Sequence, residues 1–186
     1  MPKYTGGSML TLRPARRDDC HALLELIREL ADYEKLLDQV DATASSLEAA
    51  LFGASADEFS AKVFADVAEW TEGATTTIAG FALWFYNYST FRGRHGIYLE
   101  DLYVRPALRG RGIGKALLVN LADRCIKENL ARLEWSVLDW NTPARTFYES
   151  LGAQGLTEWV PHRVTGEALQ RLAAQATRAA RVPPRP

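Results

Sequence analysis

Apolar residues recur along this chain with two different periods, and the switches between them divide it into strands and helices. Met9 to Pro14 alternates as a first strand. Leu23, Leu24, Ile27 and Leu30 then recur at helical spacing behind Asp18 or Asp19, either of which can cap the helix. A short second helix is expected near Ala44 to Phe52. Ala61 to Ala68 and Thr76 to Tyr88 read as antiparallel strands joined by a polar turn region, Thr71 to Thr75, and the aromatic run FALWFYNY marks the second as a long central strand. Gly96 to Val104 is a fourth strand, Arg132 to Leu138 a fifth and Glu158 to Val164 a last one. Ala116, Leu117, Leu118, Leu121 and Ala122 share one helix face, Thr142 to Leu151 forms a helix with Pro143 in its first turn, and Gly166 to Ala174 a short closing helix. No internal repeat or second domain boundary breaks the pattern, and the terminal TRAARVPPRP reads as a disordered tail.

One junction carries chemistry. The strand holding Glu100 and Asp101 runs into Arg109, Gly110, Arg111, Gly112, Ile113, Gly114 and Lys115, where helical spacing begins. First-turn N–H groups have no intrahelical acceptor and sit at the positive end of the helix dipole, so an anion docked there satisfies them. Glycines allow the backbone close approach to a pyrophosphate, and Arg109, Arg111 and Lys115 add positive charge. A surface turn that merely caps a helix is the plain alternative.

Composition narrows the field. The chain has 186 residues, 47% hydrophobic and 24% charged, ordinary usage for a single globular domain. A formal net charge of −1 gives no bulk electrostatic reason to expect nucleic acid as partner. Cys20 and Cys125 form no metal-ligand spacing and are too few for a disulfide framework, which fits a reducing cytosol. No apolar run reaches the roughly 18 residues of a membrane span, and the first residues lack the hydrophobic region of a signal peptide. His21 and His162 have no partner pattern for a triad or metal site, and Arg92, Arg94 and His95 read as a solvated turn.

The loop from Arg109 to Gly114, following a fourth strand, resembles the (Gln/Arg)xxGx(Gly/Ala) hallmark of the GNAT superfamily of acetyl-CoA-dependent N-acetyltransferases. ADYEK at Ala31 to Lys35, YLED at Tyr98 to Asp101, the pair Trp140 and Asn141, and FYESLGA at Phe147 to Ala153 resemble its diamine acetyltransferases, and YEKLLDQV, LDWN and LGAQGLTE resemble their thialysine branch. The resemblance covers about residues 9 to 174, with 1–8 as an extension and 175–186 as a tail. It implies an α/β (α+β) GNAT fold: a central, mainly antiparallel mixed sheet flanked by helices on both faces.

It also implies roles for residues. Tyr148 is the expected acid for the departing thiolate and Glu100 the expected base, acting through a water, for the substrate ammonium. Phe147 and Tyr148 as a packing aromatic pair, and Glu100 or Asp101 as half of a structural ion pair, are the plain readings. Two adjacent acids on a regular strand point to opposite faces, so if both meet substrate the strand is irregular; GNAT strands are bulged here. The bulge frees N–H groups around Leu102, Tyr103 and Val104 for the cofactor's pantetheine arm. Asn141, Pro143, Ala144 and Tyr148 are further cofactor contacts, although Asn141 also suits a helix cap. Tyr33, Glu34, Glu100, Asp101, Trp135, Ser136, Glu158 and Trp159 are the expected amine-side residues, with Trp135 equally a core residue. No metal is implied. The expected reaction is direct acetyl transfer from acetyl-CoA to a small polyamine-like or lysine-like amine, in a cytoplasmic homodimer. A protein amine as acceptor and a non-catalytic acyl-CoA sensor are the other readings.

Overall fold

The computed structural model describes residues 7–53 and 63–176, and the chain divides into two compact units, Met1–Ser136 and Val137–Pro186. The first holds a five-stranded sheet in the order β1 (Ser8–Pro14), β2 (Phe64–Glu72), β3 (Thr75–Ser89), β4 (Arg94–Val104) and β5 (Leu133–Trp135). Neighbours pair antiparallel from β1 to β4, and β5 runs parallel to β4. Helices α1 (Cys20–Tyr33), α2 (Ala44–Phe52) and α3 (Ile113–Lys127) complete it.

The alternation of β3 assigns the helices to the two faces. Phe81 and Leu83, with Val67 and Ala65 opposite them on β2, join Leu23, Leu26, Leu47 and Leu51 in one buried cluster on the α1 and α2 side. Ala82 and Trp84 point the other way, where α3 buries Ile113, Leu117, Leu118 and Leu121 and carries Arg124 over the Trp84 ring. Burial of these apolar faces supplies most of what holds the layers together.

Asp19 occupies the cap position before α1 but has no side-chain capping bond. Its carboxylate instead accepts from the Arg16 backbone N–H (2.6 Å) and pairs with Arg13 (2.7 Å), whose guanidinium also reaches Glu69 on β2. The Arg13 hydrogen bonds hold the Asp19 carboxyl below its ordinary range and fasten β1, β2 and the start of α1 together.

The elements differ from the sequence expectation in four places, the first being that Arg94 and His95, read as part of a solvated turn, open strand β4. Strand β2 continues to Glu72, which narrows the expected turn region to Gly73 and Ala74; its expected first residues 61–62 lie outside the described ones. Strand β5 is three residues long rather than seven. The strand expected over Glu158 to Val164 is absent: the segment is irregular and exposed, with Trp159 and Val160 about 70% accessible. Pro161 has no N–H to give a ladder. The expected tail TRAARVPPRP lies outside the described residues.

The second unit carries α4 (Thr142–Ser150) and α5 (Gly166–Ala173). Asn141 caps α4 by accepting from the Ala144 N–H (3.3 Å), and Pro143 stands in the first turn. The helix ends through Gly152 at φ +90°, with the Ala153 N–H returning to the Tyr148 carbonyl. No described helix is long and apolar enough to cross a membrane.

Candidate active site

Strand β4 breaks its register where two acids adjoin. Leu99 pairs with Trp84 and Asp101 with the next β3 residue, Leu83, so Glu100 is the extra residue of a β-bulge. Glu100 is exposed, while Asp101 lies on the face of Leu83, towards α1. Burial, then the neighbouring charges of Glu100 and Glu34, push the Asp101 carboxyl up to about 6. Glu34 follows the last residue of α1, where the chain reverses through Lys35 at φ +61°, and burial raises its carboxyl also. Three carboxylates thus share one region between the bulge and the end of α1.

The bulge also opens an edge. Strand β5 pairs with β4 only over Ile97 to Leu99, so from Glu100 onward the β4 edge away from β3 has no partner strand among the described residues. The Arg105 N–H donates to the Ala79 carbonyl on β3 (2.9 Å). Antiparallel alternation then turns the Tyr103 and Asp101 N–H groups to β3 and those of Leu102 and Val104 to the open edge. The Val104 carbonyl confirms the direction by accepting from Arg109 Nε (2.9 Å).

Past a 3₁₀ turn at Pro106–Leu108 the glycine loop reaches α3 with Gly110 at φ +75° and Gly112 at φ +79°. Gly112 is the N-cap residue and offers no side-chain cap, so the first-turn amides of Ile113, Gly114 and Lys115 have no acceptor within the helix. An added Cβ at Gly110 meets nothing within 4 Å; this glycine answers a backbone conformation and leaves the approach open. Uncapped amides, the open edge and this clear approach form a cradle that suits the pyrophosphate and pantetheine arm of coenzyme A.

The arginines are more constrained than their sequence suggests. Arg109 lies over the Tyr33 ring (5.0 Å) and the Tyr103 ring (5.5 Å), and Arg111 lies over Trp70 (5.1 Å). Lys115 is exposed. Arg105, not singled out from sequence, ties the loop to α1 through Glu29 (3.1 Å) and Glu25 (3.6 Å). Its only sequence signal is a cation at the end of an apolar strand.

The remaining expected residues fall as follows. Trp135 pairs with Leu99, which turns it to the α3 face, opposite to Asp101. Ser136 hydrogen-bonds the Tyr98 hydroxyl (2.8 Å). Asn141, Pro143, Ala144, Tyr148, Glu158 and Trp159 belong to the second unit. There the Tyr148 ring lies 5.4 Å from Phe147, the aromatic pair read from sequence, and Glu158 and Trp159 are exposed.

Similarity to known proteins accords with this arrangement. Residues 23–153 match the acetyltransferase (GNAT) family. The thialysine N-epsilon-acetyltransferase of Bos taurus is 40% identical over 172 residues, covering 90% of this chain and 99% of that one. An L-ornithine N5-acetyltransferase of Arabidopsis thaliana is 45% identical over 95 residues, 51% of this chain and 42% of its own length. Among solved structures, an integron cassette protein from the mobile metagenome of V. cholerae superposes with a TM-score of 0.69 at 26% identity, covering 88% of this chain and 97% of its own. A five-stranded, mostly antiparallel sheet, the bulged acidic strand and the glycine loop therefore belong to an N-acetyltransferase of the GNAT family.

Proposed function

We propose that this enzyme transfers an acetyl group from acetyl-CoA to the side-chain amine of a small lysine-like or polyamine-like molecule by direct attack. The observation that carries the reading is the set of acids at the β4 bulge: Asp101 half-buried and raised to about 6, beside Glu100 and Glu34, next to an open strand edge. Such a cluster attracts a cationic amine. Relatives named for acetylating thialysine and L-ornithine, both amino acids with a side-chain amine, favour the lysine-like class.

In this reading the cofactor supplies an activated acetyl thioester. Asp101 and Glu34 hold the ammonium, and Glu100 receives its proton through a water, freeing the amine lone pair. The Leu102 and Val104 amides hold the pantetheine arm and polarise the acetyl carbonyl. The amides from Gly110 to Lys115 hold the pyrophosphate, Asn141, Pro143 and Ala144 add contacts, and the Tyr148 hydroxyl gives its proton to the departing sulfur. Tyr33, Ser136, Glu158 and Trp159 complete the amine side. The catalytic domain spans 9–174 and works as a homodimer, as in the family that it resembles. Free, buried Cys20 and Cys125 suit a cytosolic setting.

Initial-rate kinetics test the direct mechanism. Intersecting double-reciprocal lines, with no acetylated protein after incubation with acetyl-CoA alone, are expected. Parallel lines with a stable acetyl-enzyme overturn it.

A further inference from the structure

Asp66 lies in the apolar strand β2 and takes no part in the chemistry above. It is only 3% exposed, and among the described residues its carboxylate accepts one hydrogen bond, from the Trp84 indole Nε1 (2.9 Å). A buried carboxylate held by one neutral donor is costly unless a cation compensates it. Burial accordingly pushes the Asp66 carboxyl up, against the pull of Trp84 and Arg124.

Asp66 borders a cavity of about 250 Å³ at the corner where β1 ends, lined also by Phe52, Phe64, Trp84, Tyr86 and Arg124. Three of the rings form one wall: Phe64 stacks on Trp84 (4.6 Å), and Tyr86 meets both edge-on (5.6 and 5.3 Å). Arg124 is the cation at hand, but it forms no ion pair with Asp66 within 4.0 Å. It pairs with Glu128 (3.0 Å) and lies over the Trp84 ring (5.0 Å), so Asp66 has only part of its charge. Among the described residues, Asp66, Arg124 and Glu128 sum to one negative charge. Trp84 is covered by Phe64 and Arg124, but beside the Phe64 and Tyr86 rings that charge favours a compact cation over an anion or a neutral molecule.

We propose that this corner is a second amine site, in which Asp66 and the Phe64 and Tyr86 rings bind a small primary alkylammonium. It is separate from the acetyl-acceptor region, because Asp66 pairs opposite Ala82 and Asp101 opposite Leu83, adjacent β3 residues on opposite faces of the sheet. The inference stands without the proposed substrate.

The test is a titration of ¹⁵N-labelled protein at pH 8 with butylammonium or butanol, following the Trp84 indole N–H, assigned by its loss in Trp84→Phe. Butylammonium is expected to shift it saturably in the wild type and in Asp101→Asn. Butanol is expected to leave it unmoved, as is butylammonium in Asp66→Asn, which keeps an acceptor for the indole. An equal response to butanol shows an apolar cavity only. A response lost in Asp101→Asn but kept in Asp66→Asn assigns the signal to the acceptor site. Either result, or no saturable shift, overturns the proposal. Should Asp66→Asn fail to fold, Tyr86→Leu removes one ring and is expected to weaken butylammonium about threefold or more; unchanged affinity overturns it equally.

Discussion

The Arg109 guanidinium lies 5.0 Å from the centre of the Tyr33 ring, so the last residue of α1 and the first residue of the glycine loop are in direct contact. Arg109 Nε also donates to the Val104 carbonyl, and one side chain therefore joins α1, the end of β4 and the glycine loop. Cation–π contacts at exposed sites contribute about 0.5–1 kcal/mol. A double-mutant cycle of Arg109→Ala and Tyr33→Ala, read by urea unfolding, is expected to show a coupling of about that size. Additive effects contradict the contact.

Asp101 makes stability depend on pH in a defined direction. Its folded pKa of about 6 exceeds the roughly 3.9 of an unfolded aspartate, so the native state binds the extra proton between these values. Native stability from this group therefore falls as pH rises from about 4 to about 6, by up to about 3 kcal/mol. Asp101→Asn removes the fall. Urea unfolding at pH 4.5 and 7.5 is expected to show the variant gaining on the wild type at the higher pH. An unchanged difference contradicts the burial of this charge.

Gly110 sits at φ +75° with open space where a side chain would go. Gly110→Ala is therefore expected to cost about 1–2 kcal/mol through backbone strain alone. It is also expected to raise the KM for acetyl-CoA more than it lowers kcat. A thermal melt and a KM measurement separate the two effects, and a variant as stable as wild type contradicts the assigned conformation.

Most of this architecture is legible in the sequence because long elements carry long patterns. The alternation of β3 and the face formed by Leu117, Leu118 and Leu121 outweigh local exceptions. The β4 bulge is legible through the family resemblance: on a regular strand adjacent Glu100 and Asp101 simply point to opposite faces, and the bulge that the resemblance implies is found there. Short elements are less legible. Three-residue β5 has too little pattern to assign Trp135 a face, and the apolar Trp159, Val160 and Val164 read as a strand although Pro161 interrupts their ladder. The arginine contacts depend on which aromatic ring the fold brings near, which spacing along the chain does not encode.

Tyr148 is assigned the proton for the departing sulfur, and one general acid is worth about 10²-fold or more in rate. Tyr148→Phe is expected to lower kcat by roughly that factor while leaving the KM for acetyl-CoA nearly unchanged. Turnover equal to wild type removes Tyr148 from the acid role.

The central claim is acetyl transfer to a small side-chain amine, and coenzyme A thiol release measures it most directly. With acetyl-CoA held constant and lysine, thialysine, ornithine, putrescine, spermidine and a peptide amine compared, the account predicts the highest kcat/KM for a lysine-like amino acid and a monoacetylated product by mass. Release with the peptide amine alone, or with none of the amines, contradicts it.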